Sequence, residues 1–311
     1  MAAYLELHRS GKLRERVSTS LSLLERCCVC LRSCGVNRVA GDVGKCHTGR
    51  EALVSSYGPH FDEEVPLVGR YGSGIIFFSN CNLTCLFCQN YPISQLGEGR
   101  EVSKRELAYI MLSLQAKGCH NINLVSPSHV VPQILEALEL PVESGLHLRL
   151  VYNSGGYDSL ETLSILEGIV EVYMPDMKYD DEKIAGELSG IANYPEVSKA
   201  AIKEMHRQTG DLEISREGVA QRGLLVCYLV LPDCLAGTEG IVNFLNREIS
   251  RDTYLNIMAQ YYLCHKAFQI PSLGWRISSV EFQEALSLAH RAGLRRLDKI
   301  HATEGLLLCL K

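Results

Sequence analysis

The chain has 311 residues, enough for one large domain or two ordinary ones with a buried core. It carries 31 Lys and Arg against 36 Asp and Glu, a formal net charge of -5, which argues against a generic nucleic-acid binder. Hydrophobic residues make up 46% and charged residues 22%, so a disordered chain is excluded. No apolar run approaches the roughly 18–20 residues of a membrane span. The N-terminus also lacks the apolar core of an export signal, so we expect a soluble, cytoplasmic protein.

The predicted elements change character along the chain. Residues 1–26 have helical spacing, and residues 27–70 form an irregular segment rich in Cys and Gly. From residue 74 short apolar runs alternate with helical patterns, two of which begin with capping boxes at Ser103 and Ser278. The apolar runs predict six strands: Ile75–Phe78, Ile122–Val125, Leu148–Tyr152, Val170–Met174, Leu224–Leu231 and Tyr254–Met258.

Apolar strands that alternate with helices predict a parallel sheet covered by helices. Six such units favour an α/β fold with a partial (β/α)6-type barrel over a complete eight-fold one, with a doubly wound sheet as the alternative. We expect three parts: the N-terminal helix and Cys-rich segment (1–70), the barrel (71–297) and a C-terminal tail (298–311). Either architecture places ligands at the C-terminal ends of the strands.

The thirteen cysteines are the unusual feature of the composition. Three of them form the pattern Cys81-x3-Cys85-x2-Cys88, directly after the first predicted strand. Three thiolates on one loop can bind three irons of a 4Fe–4S cluster, whereas electron-carrier clusters are held by four Cys. The fourth iron would then be open for chemistry. The residues alone leave two alternatives, a zinc site that lacks a fourth ligand and three packed core thiols.

This pattern, with Phe87 before the last Cys, resembles the signature of the radical S-adenosylmethionine (SAM) superfamily. More narrowly, the chain is similar to uncharacterised relatives of pyruvate formate-lyase activating enzyme. The resemblance covers about residues 25–295. It is carried by six further stretches: 72–78, 88–94, 121–129, 152–157, 173–179 and 204–208.

The resemblance implies an oxidoreductase with a 4Fe–4S cluster on Cys81, Cys85 and Cys88 and with SAM on the fourth iron. One electron would cleave SAM to methionine and a 5′-deoxyadenosyl radical, which takes hydrogen from a substrate. That substrate could be a glycine on a protein partner, as for an activase, a small molecule, a peptide or an RNA. A low-potential donor of the flavodoxin or ferredoxin type would reduce the cluster. No membrane partner is expected.

Three further residues are candidates for binding SAM. Asp176 and Lys178 follow a predicted strand, and the activating enzymes carry a similar Asp-x-Lys in contact with SAM. The alternative is that these two residues form only a local ion pair at the end of the strand. Asn153 follows the preceding strand, where Gly155 and Gly156 either admit a ligand or only form a turn.

One departure from the superfamily pattern concerns the amino group of SAM. Many relatives place a Gly-Gly-Glu-like stretch after the second barrel strand, and residues 125–129 of this chain contain no acidic residue. His129, in the same stretch, is expected to lie in the first turn of the next helix. Hydroxyl or carbonyl oxygens would then have to hold the ammonium.

A second group of cysteines lies near the N-terminus. Cys27, Cys30, Cys34 and Cys46 offer four thiolates, with Cys28 spare, for a second metal that is either zinc or another iron–sulfur cluster. The spacing does not choose the metal, and a Cys-rich cap with free thiols is the alternative.

Two other functions compete with the radical enzyme. One is a non-catalytic iron–sulfur redox carrier or sensor, and the other is a zinc-binding interaction module built on residues 27–46. The absence of a fourth Cys close in sequence to Cys88 counts against the carrier. Only the enzyme predicts reductive cleavage of SAM.

Overall fold

The computed structural model describes residues 2–298, so the predicted tail 298–311 lies, apart from its first residue, outside the described residues. The strands of the described part are β1 (Ala52–His60), β2 (Ser73–Phe78), β3 (Arg100–Val102), β4 (Asn121–Val125), β5 (Arg149–Ser154), β6 (Val172–Pro175), β7 (Glu213–Ile214), β8 (Ala220–Leu229), β9 (Tyr254–Met258) and β10 (Arg296–Leu297). Its α-helices are α1 (Tyr4–Arg9), α2 (Lys12–Ser22), α3 (Val65–Val68), α4 (Tyr91–Ser94), α5 (Lys104–Ala116), α6 (Val131–Glu143), α7 (Leu160–Leu166), α8 (Glu182–Ser189), α9 (Tyr194–Thr209), α10 (Thr238–Phe244) and α11 (Ser279–Ala292).

The predicted α/β fold with a parallel sheet is confirmed. The sheet has the strand order β10-β9-β8-β6-β5-β4-β2-β1-β3, and every pair from β2 to β10 along this path is parallel. Each of the six predicted strands overlaps one of these parallel strands. Among the parallel strands, from β2 to β10, the order never reverses as it would in a doubly wound sheet, so the alternative architecture is excluded.

Contacts across the sheet show that it curves. Adjacent residues Glu63 and Glu64 bond to side chains on strands four places apart: Glu63 to Asn123 on β4, and Glu64 to Asn256 on β9. A flat sheet would hold β4 and β9 nearly 20 Å apart, at roughly 4.8 Å per strand. The strands therefore wrap around these two carboxyl groups as a partial barrel.

Alternate strand residues belong to two apolar clusters, so the sheet is buried on both faces. Tyr173 on β6 packs in the large cluster with the helices, while its neighbours Val172 and Met174 pack in a smaller one. Leu67 from α3 also belongs to the smaller cluster. This smaller cluster fills the concave side and forms the floor under the mouth of the barrel.

The segment before the barrel differs from the sequence expectation in two places. The predicted helix over residues 1–26 is broken at Gly11, whose φ of 77° is unfavourable for other residues, and α2 ends at Ser22. The irregular segment 27–70 contains β1, which pairs antiparallel with β2 and with β3. The sequence did not predict β1 because it contains Gly58 and Pro59, two residue types with low strand propensity.

The helix boundaries that capping residues and glycines predicted are confirmed for two helices. Ser103 and Ser278 each form a complete capping box, at the start of α5 and α11. Gly118 and Gly293 adopt positive φ just after these two helices. Throughout residues 2–298, every helix is too short or too polar to cross a membrane.

Candidate functional site

A cavity opens at the C-terminal ends of the parallel strands. Its volume is about 560 Å³, a size typical of ligand sites. The structure brings six of the residues singled out from the sequence to its wall: Cys81, Cys85, Cys88, Asn153, Asp176 and Lys178. They come from the loops after β2 and β6 and from the end of β5, and the parallel direction of these strands is what places them together.

The cysteine loop is held from three sides. Arg32 of the N-terminal segment donates to the carbonyl oxygen of Asn82 at 2.7 Å, and the Asn82 side chain donates to the carbonyl oxygen of Tyr157 at 2.7 Å. The backbone N–H of Leu86 donates to Leu188 in α8, and that of Lys266 donates to Leu86. These contacts fix the backbone of the loop, and with it the positions of the three thiols.

Each thiol has a neighbour that can donate to sulfur. The Ser189 hydroxyl lies 2.9 Å from Cys85 Sγ, and the Leu83 N–H lies 3.4 Å from Cys81 Sγ. Cys88 Sγ lies 3.1 Å from the hydroxyl of Ser94. Donors of this kind stabilise thiolate ligands and tune the reduction potential of a cluster.

Burial favours the protonated thiol at two of the three cysteines, Cys81 and Cys85. Burial raises the pKa of the Cys81 thiol to about 12. It also raises the pKa of Cys85, and the nearby Lys178 ammonium offsets part of that rise. Only thiolates bind iron, so cluster assembly at this loop must release protons.

Asp176 and Lys178 form an ion pair at the wall of the cavity. Desolvation is the largest single effect and lowers the pKa of the Lys178 ammonium, but the charges of Asp176, Cys85 and Tyr194 and the hydrogen bond to Asp176 together raise this pKa well above its usual value. Lys178 is therefore a permanent cation close to the cysteine loop. The local ion pair, one of the two alternatives from the sequence, is present, and both residues line the cavity. Their contact with SAM stays a prediction.

Tyr194 forms hydrogen bonds to both of the loops next to the candidate SAM ligands. Its hydroxyl is buried, lies 2.9 Å from the carbonyl oxygens of Gly155 and Asp176, and accepts from the Lys178 N–H at 3.0 Å. Gly156, with φ 76°, passes so close that a Cβ there would lie 2.2 Å from the Asp176 carbonyl oxygen. This glycine serves the close approach of two loops rather than a turn alone.

The stretch after β4 has no acidic residue, and the structure shows what it offers instead. Ser126, in the left-handed region with φ 58°, lines the cavity, and its N–H donates to the carbonyl oxygen of Asn153 at 2.9 Å. His129 lies two residues before α6 begins, and not in its first turn. Its ring is buried 3.0 Å from the carbonyl oxygen of Ser79.

Sequence reasoning missed a set of residues that line the same cavity. They are His60, Asp62 and Glu63 from the connection between β1 and β2, and Gln260 from the segment after β9. They lie far from Cys81 in sequence, and no spacing pattern links them to it. The acidic pair Glu63–Glu64 was the one available signal.

The N-terminal cysteines do not form a ready site for one ion. Within residues 2–298, no group of three or more His, Cys, Asp or Glu side chains is arranged to hold a single metal ion. Cys27 Sγ lies 3.9 Å from the buried guanidinium of Arg38, and burial raises the pKa of Cys30 to about 12. Metal binding by Cys27, Cys30, Cys34 and Cys46 stays a prediction.

Cys264 is a thiol from outside the signature that contacts the cysteine loop. It is buried, and its Sγ lies 3.3 Å from the carbonyl oxygen of Phe87. It does not line the cavity. This thiol bears on the choice between an enzyme and a redox carrier, because a carrier needs a fourth ligand.

Comparison with known proteins identifies the central part of the chain. Residues 75–212, from β2 to the end of the loop after α9, match the radical SAM superfamily. The matched segment spans 138 of the 311 residues, the central part of the chain. The three cysteines and the Asp176–Lys178 pair lie within the matched segment.

Individual relatives extend over more of the chain. An uncharacterized protein of Methanocaldococcus jannaschii, MJ0674, is 29% identical over 300 residues, which cover 93% of this chain and 82% of that protein. Two solved structures align with lower identity. A radical SAM methyltransferase from Sphaerobacter thermophilus shares 14% identity with a TM-score of 0.48, over 72% of this chain and 65% of its own. TYW1 with a lysine-pyruvate adduct bound shares 11% with a TM-score of 0.41, over 70% and 73%.

The match to the radical SAM superfamily over residues 75–212 implies a 4Fe–4S cluster and SAM, and the residues present fit both. Three thiols on one anchored loop face a cavity of about 560 Å³, which leaves room for a cluster and a ligand beside it. Backbone N–H groups, hydroxyls and the Lys178 ammonium supply the donors that anionic sulfur and carboxylate groups require. A second metal is not implied by the superfamily.

Proposed function

We propose that this chain is a radical SAM enzyme, with the cluster on Cys81, Cys85 and Cys88. One observation carries the proposal: three thiols and the Asp176–Lys178 pair line one cavity at the C-terminal ends of the parallel strands. The chemistry supplied by a bound cluster and SAM is one-electron cleavage of a carbon–sulfur bond, which yields the 5′-deoxyadenosyl radical.

The protein residues position the reactants and exclude water. The Asp176–Lys178 pair and Asn153 face the space beside the cysteine loop, where SAM would bind. The Lys178 cation suits a carboxylate, while the Ser126 hydroxyl and the carboxylate of Asp176 are acceptors for an ammonium. Buried walls keep water away from a reactive carbon radical.

For the substrate, we propose hydrogen abstraction of the type carried out by activating enzymes, from a glycine of a protein partner. The support is the set of sequence stretches shared with the activating-enzyme relatives. A small molecule, a peptide or an RNA is the alternative substrate. A flavodoxin- or ferredoxin-type protein is the proposed source of the electron.

The test is anaerobic incubation of the reconstituted protein with SAM and dithionite. We expect 5′-deoxyadenosine from the wild type and none above background from Cys85→Ala, because that variant loses one of three cluster ligands. Cys234→Ala is the matched control and should behave like the wild type, since Cys234 is exposed and lies outside the cavity. Failure of a fully loaded wild-type cluster to cleave SAM would favour the iron–sulfur carrier instead.

A further inference from the structure

The floor of the cavity contains a second polar group that SAM cleavage does not use. It consists of Glu63 and Glu64 from the β1–β2 connection, Asn123 from β4 and Asn256 from β9. We call these four residues the acceptor cluster. Glu63 lines the same cavity as the three cysteines, and the other three residues are buried behind it.

Both amide nitrogens of the cluster donate a hydrogen bond within it. Asn123 donates through Nδ2 to Glu63 Oε2 at 2.9 Å, and Asn256 donates through Nδ2 to Glu64 Oε1 at 3.0 Å. The thiol of Cys227 also donates to Glu64 Oε1, at 3.2 Å. These bonds fix the orientation of both amide groups, because only their nitrogens can donate to a carboxylate.

Three oxygen atoms of the cluster are buried without any partner. They are Glu64 Oε2, Asn123 Oδ1 and Asn256 Oδ1. The side chains of Asn123 and Asn256 are completely buried, and Glu64 is only 8% exposed. Buried polar atoms are almost always paired in native proteins. The protonated Glu63 carboxyl can donate to Glu64, but Asn123 Oδ1 and Asn256 Oδ1 still need a donor that no described side chain provides. All three atoms are acceptors.

The cluster also lacks a positive charge. None of the ion pairs within residues 2–298 involves Glu63 or Glu64, and the cation nearest the cavity, Lys178, is engaged by Asp176. Burial and the charge of Glu64 raise the pKa of the Glu63 carboxyl to about 8, as expected for an acidic pair without a counter-ion.

We propose that the substrate of this enzyme carries an ammonium or guanidinium group, which binds in the acceptor cluster with its N–H donors on the unpartnered oxygens. Such a group supplies several donors and a positive charge at one point, and these are what the cluster lacks. The remainder of the substrate then extends along the cavity toward the cysteine loop. This inference rests on the proposed function, because it names the substrate class of the same cavity.

The test uses three probes of similar size: 1-butylammonium, 1-butylguanidinium and the neutral 1-butanol. Thermal unfolding of the anaerobically reconstituted protein is followed with each probe at about 20 mM, without SAM or reductant. A ligand that binds only the folded state raises the unfolding midpoint. We expect both cations to raise it and butanol to leave it unchanged. Equal shifts with butanol, or no shift with either cation, would overturn the proposal.

Variants locate the binding. Glu64→Gln keeps the shape of the side chain and removes its charge, so we expect both cations to bind about tenfold more weakly. Glu101→Gln, an exposed carboxylate on β3 outside the cavity, is the matched control and should bind them as the wild type does. If Glu64→Gln bound the cations with wild-type affinity, the cations would bind elsewhere and the proposal would be wrong.

Two further outcomes separate this proposal from its alternatives. Stabilisation by Mg²⁺ alone that Glu64→Gln abolishes, with no effect of butylammonium, would overturn it in favour of an inorganic cation. Probe binding needs neither SAM nor reductant. If the wild type bound the cations but failed to cleave SAM, the proposed function would be contradicted and the cation site would be supported.

Discussion

Single residues determine how the cysteine loop is presented to the cavity. Cys81, Cys85 and Cys88 each lie within reach of a donor, and Tyr194 locks the neighbouring loops through one hydroxyl group. The motif itself is evident from spacing alone. Its donors are not, because Ser189 is 104 residues from Cys85 in sequence and reaches it only through the packing of α8.

A prediction at this scale separates the enzyme from the redox carrier. We expect Cys264→Ser to keep the iron content of the reconstituted protein, because the Cys264 thiol is directed at a backbone carbonyl oxygen and lies outside the cavity. Cys85→Ala, treated in parallel, should lose most of its iron. The measurement is iron per chain together with the electron paramagnetic resonance spectrum of the reduced cluster with and without SAM. Loss of iron from Cys264→Ser would identify a fourth protein ligand and favour the carrier.

At the scale of elements, the ends of the strands create the site. The loops after β5 and β6 approach so closely that only glycine fits at position 156. Sequence reasoning placed Asn153, Gly155 and Gly156 at the end of a strand, and it weighed a ligand contact against a turn. The structure adds a third reason for glycine, the contact with Asp176, which depends on the pairing of β5 with β6.

We expect Gly156→Ala to lower the free energy of unfolding by about 2–4 kcal/mol, because a Cβ would overlap the Asp176 carbonyl oxygen in addition to the strain of a positive φ. Gly145→Ala is the matched control, since Gly145 has φ 86° with no atom within 4 Å of the added Cβ. It should cost only the left-handed strain, about 1–2 kcal/mol. Denaturant unfolding of both variants checks this. Equal losses would show that the close approach carries no extra cost.

At the scale of the whole molecule, the curvature of the sheet encloses two carboxyl groups. Glu63 and Glu64 hydrogen-bond to β4 and β9 across the concave side. These contacts require a curved sheet, which forms a partial barrel. Burying a carboxyl group without a cation makes the folded state dependent on pH. The acidic pair therefore affects the stability of the barrel as well as its cavity.

We expect Glu63→Gln to raise the thermal midpoint of the ligand-free protein at pH 9 and to change it little at pH 4.5. The folded pKa of Glu63 is about 8 against 4.5 for an unperturbed Glu, so the folded state binds more protons between these values. Its contribution to stability is thus complete below pH 4.5 and is lost as the pH rises to 8. Scanning calorimetry across this range, with Glu101→Gln as control, is the measurement. A midpoint difference that does not grow with pH would contradict the raised pKa.

The sequence by itself determined the cysteine motif and the class of fold. Cys81, Cys85 and Cys88 lie within eight residues, and six apolar runs mark the parallel strands, so local spacing and periodicity are enough to predict both. The capping boxes at Ser103 and Ser278 set helix starts for the same local reason.

Only the tertiary structure decided what surrounds the cysteine loop. Strand β1 was missed because its pairing with β2 and β3, and not its own propensity, makes it a strand. The acceptor cluster joins residues up to 193 positions apart, from Glu63 to Asn256, and no local pattern encodes such a contact. Burial and the loss of hydrogen-bond partners exist only once the chain has folded, and these two effects turn an ordinary acidic pair into a candidate binding site.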